Sequence, residues 1–128
     1  MKYLLDTHAA LWIAEASPRL SSKARSLAEN CDGEDFGIAA ISLLEIARKA
    51  HTGEIELKPD AAVWLDDLAH RFRVLPLTSK IAWRSVQLDW AHKDPADRLI
   101  CATALEHKLT LVTHDKEIVR WGGVAVWW

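Results

Sequence analysis

Short apolar runs alternate with longer amphipathic stretches from one end of the chain to the other, and this alternation restricts the fold more than any other feature. Lys2-Tyr3-Leu4-Leu5, Phe36-Gly37-Ile38-Ala39, Arg73-Val74-Leu75-Pro76-Leu77, Leu109-Thr110-Leu111-Val112-Thr113 and Val124-Ala125-Val126-Trp127 read as strands. Helical spacing separates them. Two such stretches follow Asp6-Thr7, one from Ala9 to Ser17-Pro18 and one from Ser21-Ser22 to Asn30; others run from Ser42 to about His51, from Pro59-Asp60 to about Phe72, from Thr78-Ser79 through Trp90 and from Ala96 to His107. A short helical turn covers Ile118-Val119. Pro76 has no N–H to give a ladder, so the third strand ends there or lies at an edge. Parallel strands need long crossovers, and the helices supply them. The expectation is an α/β protein with a largely parallel central sheet of roughly five strands flanked by helices.

At 128 residues, half of them hydrophobic and 27% charged, the chain suits a single domain spanning residues 1–128 and excludes disorder. No apolar run approaches the roughly 20 residues of a membrane helix, and Asp6 interrupts the first run too early for a signal peptide. A soluble, cytoplasmic protein without membrane association is expected. Cys31 and Cys101 form no CxxC or Cys/His pattern, which argues against a zinc site or a disulfide framework and puts Cys101 in the core. With 16 basic and 18 acidic residues, nothing global marks a nucleic-acid binder, so any such surface must be local. Trp127-Trp128 ends a chain that has seven tryptophans; the pair either packs on the domain's own core or lies at a subunit interface.

In a parallel sheet with helical crossovers, the strand C-terminal ends and helix N-terminal ends share one edge, where ligands bind. Asp6, Glu45, Asp94, Asp97 and Asp115 all fall on that edge. Each has an ordinary explanation when taken singly. Asp6 and Asp115 suit N-caps, Ser42 to Glu45 fits a capping box, Asp94-Pro95 is a cap with proline at the first helical position, and Asp97 suits the helix dipole. Together they repel one another unless a cation compensates, and oxygen donors of this kind suit Mg²⁺ or Mn²⁺. A dehalogenase-like phosphatase wants an acid where His8 stands, and a receiver domain wants an aspartate after the third strand, where there is none. The remaining alternative is a noncatalytic α/β protein- or RNA-binding module whose edge acids are only helix caps.

Leu4-Leu5-Asp6-Thr7-His8, Ile41-Ser42-Leu43-Leu44-Glu45-Ile46-Ala47, Asp94-Pro95-Ala96-Asp97-Arg98-Leu99-Ile100 and Thr113-His114-Asp115 together resemble, in order and separation, the PIN-domain ribonucleases, and within them the toxins of VapBC-type toxin–antitoxin pairs. The resemblance covers essentially the whole chain. It departs mildly at Ala96 and Leu44, where bulkier aromatics are frequent. It implies a PIN-like fold and an endoribonuclease that hydrolyses RNA phosphodiester bonds with metal-activated water. Asp6, Glu45, Asp97 and Asp115 are then the catalytic acids holding Mg²⁺ or Mn²⁺, with Asp94 a less certain fifth. Thr7 and Thr113 would orient carboxylates or water, and Arg98 first of all, with Arg48, Lys49 and Lys93, would meet the RNA. Glu45 and Lys49 are spaced to form an i,i+4 pair, and His8, His92 and His114 are expected to pack or hydrogen-bond near the acids. The resemblance also implies a homodimer and a VapB-type antitoxin as partner. Such an inhibitor would bring a basic residue into the acids and lay an apolar helix near Trp12 and Leu43-Leu44.

Overall fold

A strand in the middle of a parallel sheet must be apolar on both faces, and β1 (Tyr3–Leu5) meets that demand with Leu4 and Leu5, both fully buried. The computed structural model describes residues 1–128. β2 (Phe36–Ala39) and β3 (Arg73–Leu75) lie on one side of β1, and β4 (Thr110–Val112) and β5 (Val126–Trp127) on the other, giving the order β3-β2-β1-β4-β5 with every pairing parallel. Leu4 sits opposite Gly37 and Leu111, and Leu5 opposite Ile38 and Val112. Alternate residues therefore enter different cores. Leu5, Ile38 and Val112 pack with α1 (Thr7–Ala14), α2 (Ser22–Asn30), α3 (Ala40–His51) and α4 (Ala61–Arg71); Leu4, Ala39, Leu75 and Leu111 pack with α6 (Pro95–His107) and α7 (Lys116–Trp121). α5 (Ser79–Gln87) lies against α6. No helix is long and apolar enough to cross a membrane.

Several boundaries differ from expectation, each for a local reason. β3 stops before Pro76 and forms the sheet edge, where a missing N–H is tolerated. α3 begins at Ala40 rather than Ser42, and its N-cap, Ala39, offers no side-chain acceptor; the capping box does not form because the Ser42 and Glu45 side chains are engaged by Thr7. α5 ends at Gln87, short of Trp90, because the next carbonyls turn toward Arg98. Helix α7 ends at Gly122, whose φ of 71° is a left-handed cap that glycine adopts without a steric penalty. Cys101 is fully buried, and both cysteines are free thiols.

Of the two uses foreseen for the terminal tryptophans, the structure shows packing within the chain. The Trp127 indole N–H donates to the Lys23 carbonyl at 3.4 Å, the Lys23 ammonium lies 4.3 Å from its ring centroid, and Tyr3 meets it edge-on. Trp128 stacks on His114 and tilts against Trp12. The chain runs outward from β1 to β3 before crossing back to β4, so its direction reverses between β1 and β4. In open sheets of this kind, the crevice at that reversal is where ligands bind.

Candidate metal centre

Asp6 leaves β1 at that crevice and is only 7% exposed. Its Oδ1 accepts the Ala9 N–H at 2.7 Å, capping α1, and its Oδ2 accepts the hydroxyl of Thr113, the fully buried residue that follows β4. The Thr113 oxygen in turn accepts the Asp115 N–H at 3.0 Å, so one hydroxyl fixes the ends of both strands and two of the acids. Burial pushes the Asp6 carboxyl above its ordinary range, against the hydrogen bonds from Thr113 and Ala9 and the nearby His8, and the negative charge of Asp115 adds to the rise. Thr7 opens α1 and donates its hydroxyl to Glu45 Oε1; Ser42 Oγ stands 3.1 Å from the same hydroxyl. Glu45 on α3 is thereby tied to the first residue of α1, the neighbour of Asp6 in the chain.

The first turn of α6 brings the next group. Asp94 caps that helix through Oδ1, accepting the N–H groups of Ala96 at 2.9 Å and Asp97 at 3.3 Å. His92 Nε2 lies 2.7 Å from Asp97 Oδ2, and ligand atoms of His92, Asp94 and Asp97 all fall within 4.8 Å of one another. Burial raises the Asp97 carboxyl, the His92 hydrogen bond opposes this, and Asp94 and Asp115 add to the rise. Beneath them the Cys101 thiol is pushed up to about 12, first by burial and then by the charges of Asp97, Asp115 and Asp6. Asp115 caps α7 through Oδ1, accepting from Glu117 and Ile118.

Asp6, Asp94 and Asp115 are thus caps, as the ordinary reading holds, but each cap uses a single carboxylate oxygen and Glu45 and Asp97 cap nothing. None of the five acids pairs with a lysine or arginine; the one ion-pair partner among them is His92, on Asp97. Carboxylates with oxygens left free by their caps and no lysine or arginine paired to them, two of them raised by burial and by neighbouring charge, suit a divalent ion with hard oxygen ligands, and Mg²⁺ or Mn²⁺ fits this donor set.

The basic residues fare differently from expectation. Arg98, placed first at the RNA, is corrected: its guanidinium donates to the carbonyls of Ser85, Val86, Leu88, Trp90 and His92 at 2.7 to 3.4 Å, so its hydrogen-bonding capacity is spent inside the protein. It holds the segment between α5 and α6, and with it His92. Trp90 helps, stacked on Trp121 at 4.6 Å and in contact with the His92 ring at 4.8 Å. Lys49 pairs with Glu54 at 3.1 Å rather than with Glu45, while Arg48 and Lys93 are exposed. Arg19 escaped notice in the sequence, where nothing links it to the acids. The loop after α1 folds it back so that its guanidinium lies 5.8 Å from the Trp12 ring, beside a cleft of about 190 Å³ that Asp6 and Asp115 help to line.

A family model described as PIN domain matches residues 3–124. The chain is 40% identical over 116 residues to the ribonuclease VapC22 of Mycobacterium tuberculosis, a similarity that covers 90% of this chain and 88% of the relative. Among solved structures, DNA-bound VapBC from Salmonella typhimurium superposes with a TM-score of 0.73 at 21% identity, over 98% of this chain and 96% of that one. FitAcB from Neisseria gonorrhoeae gives 0.71 at 24% identity, over 97% and 95%.

Proposed function

The chain belongs to the PIN domain family, and from that premise we propose that it is a Mg²⁺- or Mn²⁺-dependent endoribonuclease of the cytoplasm and the toxin of a toxin–antitoxin pair, as its relative's name implies. The observation that carries the reading is the coupling of Asp6 and Asp97 to the charge of Asp115 at the sheet's reversal, with no lysine or arginine paired to any of them, and the hold of Thr7, the neighbour of Asp6, on Glu45. These four acids, with Asp94 beside them, would hold the ion. When bound, it supplies positive charge against the phosphate and acidifies water for attack.

The chain's own residues do the positioning. Thr113 fixes the orientation of Asp6 and Thr7 that of Glu45, each by a single hydroxyl, so neither carboxylate has to reorganise on binding. His92 holds Asp97 through its Nε2, and Arg98 holds the His92 carbonyl. Arg48, Lys93 and Arg19 are among the exposed cations and would meet a phosphate backbone. The antitoxin reading gains from the exposure of Leu44, which leaves an apolar contact near Glu45. A homodimer completes the proposal.

Incubating the purified chain with single-stranded RNA tests it. Cleavage is expected with Mg²⁺ or Mn²⁺, is expected to stop with a chelator, and is expected to return when the metal is restored in excess. Full activity in chelator overturns the metal dependence.

A further inference from the structure

The cleft beside the acids has a second wall of a different kind. Lining it together with Asp6 and Asp115, the Trp128 indole stacks on the His114 imidazole with centroids 5.2 Å apart and planes 7° from parallel. Trp12 meets Trp128 at 5.7 Å, and His8 meets Trp12 at 5.6 Å. Both indoles are half-buried, whereas His8, His114 and Arg19 are exposed. The wall is anchored, because the Thr113 N–H donates to the Trp127 carbonyl at 3.1 Å and so ties the residue before Trp128 to the strand end that orients Asp6.

Size, faces and charge restrict what such a cleft takes. About 190 Å³ is below the roughly 300–1,000 Å³ of a drug-sized site, so the occupant is a single ring system rather than a helix or a folded segment. No aliphatic side chain lines the cleft, so an aliphatic anchor finds nothing matched to it. A cationic side chain from a peptide would meet the acids but also Arg19, His8 and His114. A flat base on an anionic backbone suits both walls: unpaired bases stack on tryptophan and histidine, and arginine takes phosphate.

We propose that this cleft seats the base of a nucleotide adjoining the scissile phosphate, stacked on the indole–imidazole wall, with Arg19 taking a neighbouring phosphate. The proposal rests on the nuclease reading and extends it to the form of the substrate. A base inside a duplex is already stacked and cannot enter, so the cleft selects unpaired RNA, with little preference for which base because every base has a π-face.

The test uses a short single-stranded oligoribonucleotide that the full chain cuts at one bond, together with versions abasic at each position around that bond. Removing the base at one adjoining position is expected to raise KM about tenfold in Mn²⁺, the scale of one lost stack. His114→Ala is expected to raise it similarly on the parent RNA and to add nothing on that abasic RNA, whereas Arg19→Ala raises KM on both. Calorimetric Mn²⁺ affinity is expected to be unchanged in both variants. The proposal is overturned if every abasic RNA is cut like the parent, or if His114→Ala acts equally on parent and abasic RNA. It is equally overturned if the variants lose affinity only for a protein inhibitor. If the wild-type chain cuts no oligoribonucleotide in either metal yet binds one with this same base and His114 dependence, the base site stands and the nuclease reading fails.

Discussion

Asp97 shows how one side chain can oppose folding and serve binding. Its carboxylate is partly buried, faces Asp94 and Asp115, and has His92 as its sole compensating partner. Asp97→Asn removes a charge that the metal-free protein holds at a cost. The variant is expected to lose RNA cleavage while its metal-free melting temperature stays level or rises by a few degrees, which activity assays and thermal unfolding together decide. An active Asp97→Asn protein would remove this residue from the site. Much at this scale was legible in the sequence, because an aspartate after an apolar run is both a cap and an edge acid, and Asp6, Asp94 and Asp115 are all caps at the edge. Arg98 was not legible. Its partners are main-chain carbonyls, which every sequence has and which only a folded loop brings together.

The segment from Leu88 to Asp94 has no regular structure, yet Arg98 and the stacked Trp90–Trp121 pair hold it at both levels, backbone and side chain. Arg98→Lys keeps the charge but cannot reproduce a planar fork of five donors, so it is expected to destabilise the fold by about 1–3 kcal/mol and to slow cleavage through His92 and Asp97. Denaturant unfolding and single-turnover kinetics measure the two effects separately. α5 and α6 are also joined by Glu106, which takes Arg84 at 2.9 Å and Lys80 at 3.2 Å, and these partners hold its carboxyl below the ordinary 4.5. A depressed folded value means the contribution is fully present above 4.5 and is lost as pH falls through the folded value. Wild type is expected to be slightly more stable than Glu106→Gln at neutral pH, with the two unfolding curves converging in acid. Helix α3 shows why element boundaries were harder to read than element types: Ser42 has the chemistry of a cap, but its hydroxyl meets Thr7 from another helix, a contact across 35 positions.

At the scale of the molecule, the sheet order follows from apolar runs too short and too continuous to be half-exposed, so the alternation of elements was enough to anticipate a parallel sheet. The outer surface was not anticipated in the same way. Trp127 and Trp128 are occupied within the chain, while Trp83 on α5 is 65% exposed, Val86 one turn on is 66% exposed, and Leu77 just before the helix is 53% exposed. If the chain is a dimer, these three side chains, the most exposed of its large apolar residues, are the surface expected to be covered. Solution mass measurement is expected to give twice the 14.4 kDa chain for wild type and a folded monomer for Trp83→Glu. A wild-type monomer at high concentration would refute the homodimer.

The clasp that Arg98 makes on the segment ahead of α6 also has a bearing on engineering. A loop whose carbonyls converge on one guanidinium has a fixed length, because an added or deleted residue moves every acceptor after it out of reach of the same fork. Epitope insertions and new chain termini between Gln87 and Asp94 should therefore be tolerated poorly, although the segment is irregular. The turn at Gly53 is exposed and has open space around it, so it is the better place to cut or extend this chain.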